Sequence, residues 1–258
     1  MIFALWFGCA DPVEKGDEAL ARDDLLTAET QFRAALDADP EDPRALYGLG
    51  WTFHQAGEEA AARETFRQLA RRHPDDPAGH RGLGSVLAAE GNPAGARVEL
   101  EKALALAPDD VRAHQTLALL ELSAGDAAAA LVRVDGVIAR GAEGSELHQA
   151  RAAALVRLGR TDEAMAAAAV ALERADGARA RAGARLAWVE AMLVHADDRV
   201  DDEACATTAP PVREWHDAAD RVLDEVEAGG ALSKAALDLR RQVRRRRAWV
   251  DDHCPGGG

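Results

Sequence analysis

Aromatic residues are scarce in this chain of 258 residues: five Trp, five Phe and one Tyr, 4% of the total. Strands favour aromatic and β-branched residues. With strand signals also absent, the shortage excludes a thick sheet core. The chain is nonetheless 48% hydrophobic, and Ala, Leu and Val supply that character, which suits helices packed at short distance. Basic residues are also in deficit. Thirty-one Lys and Arg face 45 Asp and Glu, for a formal charge of −14, which argues against general nucleic-acid binding because phosphate neutralisation dominates such affinity, and leaves a nucleic-acid binder as a remote alternative. There is no Walker loop, no His-Glu-x-x-His, no nucleophile elbow and no paired-cysteine zinc pattern. The chain therefore reads as a non-enzyme without cofactor or metal. A hydrolase reading would require the acidic stretch from Asp197 to Glu203 to collect a metal. No interior low-complexity linker divides the chain, so one extended array is expected.

What is present is a period. Ala28, Ala62, Ala96, Ala130 and Ala164 stand 34 residues apart, and other residue types keep the same step. Gly16, Gly50 and Gly84 form one such series, and Gly57, Gly91, Gly125 and Gly159 a second. Pro40, Pro74 and Pro108 form a third, and Phe32, Phe66, Leu100 and Val134 a fourth. Several residue types in one register mark a repeated packing unit. Gly50 and Gly84 fall inside helical patterns, where glycine costs up to ~1 kcal/mol relative to alanine, so close approach of a second helix must compensate. Ala62 and Ala96 then face them from that helix, with Phe66 and Leu100 filling the space beyond. Gly82 and Gly84 read as a helix-packing pair. The acidic pairs after each proline, Glu41 with Asp42, Asp75 with Asp76 and Asp109 with Asp110, precede the next helix and are expected to cap it.

This register resembles the tetratricopeptide repeat (TPR), a helix-turn-helix unit with a Leu-Gly-x-x-aromatic first helix A and an Ala-x-x-x-Phe second helix B closed by proline. Leu46, Leu49, Gly50, Phe53, Gly57, Ala62, Phe66 and Pro74 carry the resemblance in one unit. His80, Leu83, Gly84, Leu87, Gly91, Ala96, Leu100 and Pro108 carry it in the next. The resemblance implies an all-α fold, a right-handed α-solenoid of about five repeats near 9–42, 43–76, 77–110, 111–144 and 145–178. Residues 179–258 are expected to add one further helix, an acidic loop and a capping helical hairpin. Later units drift: Ala118 and Ala152 replace the helix A glycine, Ala142 and Asp176 the closing proline, and Arg151 a leucine. Their packing is expected to be looser or differently angled.

In TPR proteins helix A lines a concave groove, so the resemblance implies that positions two, five, nine, twelve and thirteen of each helix A meet a partner protein or peptide. Here these are Arg44, Tyr47, Trp51, His54 and Gln55, then Arg81 and Ser85, then Arg112 and Gln115. Tyr47 and Trp51, four apart, share a helical face, and aromatics with arginine dominate binding hot spots. The alternative is that Trp51 packs between repeats. The lysine and asparagine pattern that clamps a C-terminal carboxylate in some TPR proteins is absent, so chaperone-tail binding does not carry over. The expected function is an interaction scaffold with a protein or peptide partner and no nucleic acid.

Residues Met1 to Phe7 (MIFALWF) are all apolar and run into Gly8 and Cys9. This truncated segment, 1–8, resembles the end of a bacterial lipoprotein signal, in which a small residue precedes the cysteine that becomes lipidated. Phe7 and Trp6 depart from the usual residues and no basic residue opens the run, as if export began from an upstream start. The run is too short to span a membrane, which needs ~20 apolar residues. The expectation is an envelope lipoprotein facing the periplasm, held to the membrane only through lipid at Cys9. Pilus-assembly pilotins and a component of the β-barrel assembly complex are lipoproteins of similar appearance. The alternatives are an apolar tail on the first repeat and a cytoplasmic adaptor.

Two C-terminal helices are expected, near 212–227 with Trp215, Ala219, Val222 and Val226 on its stripe, and near 232–250 with Leu232, Ala236, Leu239 and Val243. Gly229 and Gly230 turn the chain between them. An antiparallel pair brings Cys205 near Cys254, where a disulfide would close a loop of about 50 residues and contribute roughly 4 kcal/mol. Two free thiols are the alternative. The basic run Arg240, Arg241 and Arg244 to Arg247 is expected to pair with Asp217, Asp220 or Asp224. His80, His114 and His148 also keep the step of 34, but stacked helices separate equivalent positions by ~10 Å, so interface filling is expected rather than zinc.

Overall fold

A computed structural model describes residues 11–197, 205–229 and 234–253. Among them are thirteen helices and no strand. Five consecutive pairs come first: α1 (Pro12–Ala21) with α2 (Leu25–Ala38), α3 (Pro43–Gln55) with α4 (Glu59–Arg72), α5 (Pro77–Ala89) with α6 (Pro93–Leu106), α7 (Val111–Ser123) with α8 (Ala127–Ala139), and α9 (Ser145–Arg157) with α10 (Thr161–Glu173). Then come α11 (Gly177–Asp197), α12 (Cys205–Ala228) and α13 (Lys234–His253). The chain divides into two compact units, Met1–Leu120 and Glu121–Gly258.

Helix starts follow from side-chain chemistry. A helix leaves its first N–H groups without partners, and here carboxylates and one amide supply them. Asp42 Oδ1 accepts from the N–H groups of Arg44 and Ala45 at 2.8 and 3.2 Å, Asp76 from Ala78 at 2.8 Å, and Asp110 from Ala113 at 3.1 Å. Asp24, Asn92 and Asp126 cap α2, α6 and α8 likewise. In each acidic pair the second member caps. Glu41 instead reaches Arg72 at 3.6 Å. The helices closed by Pro40, Pro74 and Pro108 end two residues before the proline, which cannot continue them. Between helices A and B, Gly57, Gly91, Gly125 and Gly159 adopt φ of 77, 75, 85 and 68°. The first pair has Asp23 there at φ 61°, a conformation aspartate tolerates.

All five periodic alanines are fully buried. In the first unit Phe32 and Phe66 are buried just as completely, and each ring lies against two glycines. A Cβ built on Gly16 would stand 2.7 Å from the Phe32 ring, and one on Gly48 of the following helix A 2.2 Å from it. Phe66 repeats this at 2.6 Å from Gly50 and 2.3 Å from Gly82. The compensation expected at Gly50 and Gly84 is thus contact with the side chain of helix B, Phe66 and Leu100, rather than with its alanine alone. Gly84 would meet Leu100 at 2.5 Å.

The later pairs keep this register with different volumes. By the step of 34, the places of the ring and its two glycines pass in sequence to Leu100 with Gly84 and Thr116, to Val134 with Ala118 and Ala150, and to Ala168 with Ala152 and Ala184. Ala118, Val134, Ala152, Ala168 and Ala184 are all buried to 1% or less. These positions stay closed to solvent, and along the chain a smaller side chain on helix B accompanies larger ones on helix A.

In the second unit α11, α12 and α13 share a core of Val189, Met192, Leu193, Ala219, Leu223, Val226, Ala236, Leu239 and Val243. Trp215 and Val222 pack at its margin. Arg247 pairs with Asp217 at 2.5 Å and Arg240 with Asp224 at 2.9 Å, so part of the basic run is neutralised by the preceding helix. α12 starts at Cys205, ahead of Pro210 and Pro211, whereas the sequence pattern starts it at Val212. A proline removes one bond to the preceding turn but keeps a helical φ. The Cys9 lipidation site, the side chain of Cys205, Cys254, Leu232 and residues 198–204 of the acidic stretch lie outside the described residues. No helix among the described residues is long and apolar enough to cross a membrane.

His216 is 1% exposed, and neither ring nitrogen has a hydrogen-bond partner among the described residues. Burial, then Arg246 and Arg247, lower its pKa below 6.5, with Asp220 and Asp217 opposing. A depressed folded pKa means that the unfolded chain binds the proton more readily. Stability should be full above pH ~6.5 and fall as pH drops below it. Urea midpoints from pH 7.5 to 5 should show this decline, and His216→Leu should flatten it. A second expectation concerns the rings. Gly82→Ala should lower stability by about 1–3 kcal/mol through overpacking, although alanine is the better helix former. Adding Phe66→Leu should return part of the loss in equilibrium urea unfolding.

Candidate partner-binding groove

In the first unit α3 touches both α1 and α5, while α2 and α4 do not touch one another. The A helices thus lie side by side, with the B helices splayed behind them. Side chains pointing away from the B helices on α1, α3 and α5 face a common surface.

Tyr47 and Trp51, one turn apart on α3, are held from below by Phe66, with ring centroids 6.0 and 5.7 Å from it. They meet each other edge to face at 6.0 Å. Trp51 also contacts the His54 ring at 5.3 Å. Both aromatic side chains are half-buried, seated on the core yet partly open. Arg81, one repeat on, donates from Nη2 to the Tyr47 hydroxyl at 3.0 Å, and its guanidinium lies 5.1 Å from the Tyr47 ring centre. Its Nη1 donates to Asp110, the cap of α7. Burial works against the Arg81 charge, but Tyr47 and Asp110 outweigh it and raise the pKa above the ordinary arginine value. The Trp51 indole N–H is buried and has no acceptor among the described residues. The result is an aromatic and cationic platform whose side chains are fixed before any partner arrives.

The remaining groove residues are placed differently. Arg44 is exposed and turns to Asp17 of α1 and to Asp11, the cap of that helix, at 3.3 and 3.9 Å. His54 Nδ1 bonds the Glu59 carboxylate at 2.8 Å, and Gln55 is half-buried beside it. Ser85 donates to the Arg81 carbonyl at 3.2 Å. Arg112 is exposed and Gln115 half-buried on α7, with no direct bond to the Tyr47–Arg81 cluster among the described residues. Sequence reasoning missed two members. Asp110 was expected only to cap, and Phe66 only to fill the core. The step of 34 itself carries the signal for the central pair, since Tyr47 and Arg81 are equivalent positions in adjacent repeats.

The periodic histidines each have surroundings of their own. His80 Nδ1 bonds Glu99 at 2.7 Å and His114 Nε2 the Pro108 carbonyl at 2.9 Å, while His148 is buried. No cluster of three or more His, Cys, Asp or Glu among the described residues is arranged to hold a metal.

An array of two-helix units with paired small residues and a platform on the A helices defines an α-solenoid interaction scaffold. Tetratricopeptide-repeat family profiles match residues 13–77, 60–111 and 87–154. The chain belongs to the tetratricopeptide repeat family. No curated protein matches it by sequence. Among solved structures it is similar to a thermophilic TPR protein of Thermus thermophilus, with 27% identity, a TM-score of 0.62, and 70% of this chain and 97% of that one covered. PilF of Pseudomonas aeruginosa shares the fold at 17% identity and a TM-score of 0.60, over 90% of this chain and 96% of that one. So does the Cut9–Hcn1 assembly of the APC/C, at 19% and 0.70, over 90% of this chain and 42% of that one.

Tyr47→Phe removes one neutral acceptor and should cost about 1 kcal/mol. Arg81→Met strands the buried Asp110 carboxylate and should cost about 3 kcal/mol. Urea unfolding of the two variants should rank them in that order.

Proposed function

We propose that this scaffold binds a partner protein or an extended peptide along the A helices of the first unit, with Tyr47, Trp51 and Arg81 as the anchor. The observation that carries the reading is the pre-set platform: two half-open rings and a guanidinium locked by Phe66 and Asp110. Rigid aromatics lose little entropy on binding, and central aromatic and arginine residues carry most interface energy. The unmatched Trp51 N–H supports the same reading. A small turn of the indole toward a partner carbonyl would form a hydrogen bond that folding leaves unmade. Arg44, His54, Gln55, Ser85, Arg112 and Gln115 would surround the anchor as the polar rim.

We further infer attachment to a bacterial envelope through lipid at Cys9, on the strength of the apolar run into Gly8 and Cys9. A cytoplasmic adaptor is the competing assignment. Fractionation decides between them: the protein should partition with membranes and lose that on Cys9→Ser, whereas a soluble, unmodified wild type would remove the lipid anchor. For the groove, affinity capture with wild type and Trp51→Ala should retain a partner on the first and lose it on the second, with circular dichroism unchanged. Equal capture by both would place binding elsewhere.

A further inference from the structure

The second unit carries an open surface pocket of about 340 Å³ among α8, α9 and α10, sharing no residue with the groove. Its origin lies in two departures from the repeat. Arg151 occupies the position of Leu49, Leu83 and Leu117, which are buried to 7, 7 and 1% exposure. The arginine does not fill that space. Its Nε turns to Asp135 at 2.7 Å, and the pocket opens over half-buried Ile138 and Val170, with Ala167 buried at its base.

The second departure concerns His148. At the equivalent position His80 bonds Glu99, nineteen residues ahead. The residue nineteen ahead of His148 is Ala167. His148 is 9% exposed, lines the pocket and, with alanine at that position, its imidazole has no hydrogen-bond partner among the described residues. Burial, then Arg174 and Arg151, lower its pKa, with Glu143 opposing, so at neutral pH it offers one donor and one acceptor. The terminal amino groups of Arg151 likewise have no hydrogen-bond partner among the described residues. Both side chains line the pocket and are open to a ligand there, and an arginine fork can serve two carboxylates.

We propose that this pocket is a second binding site, which takes a small aliphatic carboxylate: the alkyl group rests on Ile138, Ala167 and Val170, and the carboxylate bonds Arg151 and His148. The chemistry is common to a free short-chain acid and to the aliphatic C-terminal residue of a protein. Its volume lies in the range of small-ligand pockets. The ligand would share Arg151 with Asp135 rather than displace it.

The test titrates the full chain, uniformly ¹⁵N-labelled, with hexanoate, N-acetyl-leucine and N-acetyl-leucinamide. Saturable shifts at His148, Ala167 and Val170 are expected with at least one acid. Tighter binding of N-acetyl-leucine would assign a protein C-terminus, and tighter binding of hexanoate a free acid. Arg151→Leu restores the residue of the other repeats, so it should fold at least as stably and weaken acid binding tenfold or more, about 1.4 kcal/mol. Ala167→Leu, which fills the pocket from α10, should weaken it as well. No saturable shift with either acid, an amide that binds as well as its acid, or acid binding indifferent to both substitutions would overturn the proposal.

Discussion

Phe32 and Phe66 each sit wedged between two glycines, one from their own repeat and one from the next, and this wedge sets how closely neighbouring repeats approach. A methyl group on any of the four glycines would overlap the ring's van der Waals surface. The helices therefore accept glycine's intrinsic penalty in exchange for a buried aromatic side chain, and burial of such a ring contributes more than that penalty removes. The same register continues with other sizes. Where helix B carries Leu100, Val134 and then Ala168, the flanking positions grow from glycine to threonine or alanine. Close packing tolerates redistribution of volume better than gain or loss of it.

That constraint reaches the groove. The rings of the first unit bring α3 against α5, which sets Tyr47 beside Arg81 one repeat apart, and Phe66 itself forms the floor beneath Tyr47 and Trp51. The residue that spaces the repeats also stiffens the platform. Asp110 serves twice in a similar way, as the cap of α7 and as the counter-charge of Arg81. The second unit departs from the pattern at Arg151 and Ala167, and a pocket lies at that point.

Much of this was legible in the sequence, and for identifiable reasons. Helix pairs, turns and buried alanines follow from local rules that repeat every 34 residues, so each marker confirms the others. The Gly82–Gly84 pair was readable as a packing surface. Which ring Gly82 receives was not, because a linear register does not give the rotation between repeats; Gly82 meets Phe66 of the preceding repeat and Gly84 meets Leu100 of its own. Gly48 went unnoticed for that reason. Volume compensation at Ala152 and Ala168 also escaped, since each position read alone looks like decay of the pattern. The start of α12 was misplaced because a proline pair reads as a boundary although helical φ angles continue through it. In the groove the aromatic and arginine types were legible, whereas the hydrogen bonds that lock them depend on side-chain directions no spacing specifies.

The most direct measurement of the central claim is a double-mutant cycle in the third repeat. Leu100→Phe alone should destabilise the chain, because Thr116 occupies the place that glycine holds opposite Phe32 and Phe66. Thr116→Gly alone should also destabilise it, by lost helix propensity and lost volume. Together they should restore stability to within about 1 kcal/mol of wild type, a favourable coupling at the upper end of the range for residues in contact. Strictly additive losses in urea unfolding would contradict the account.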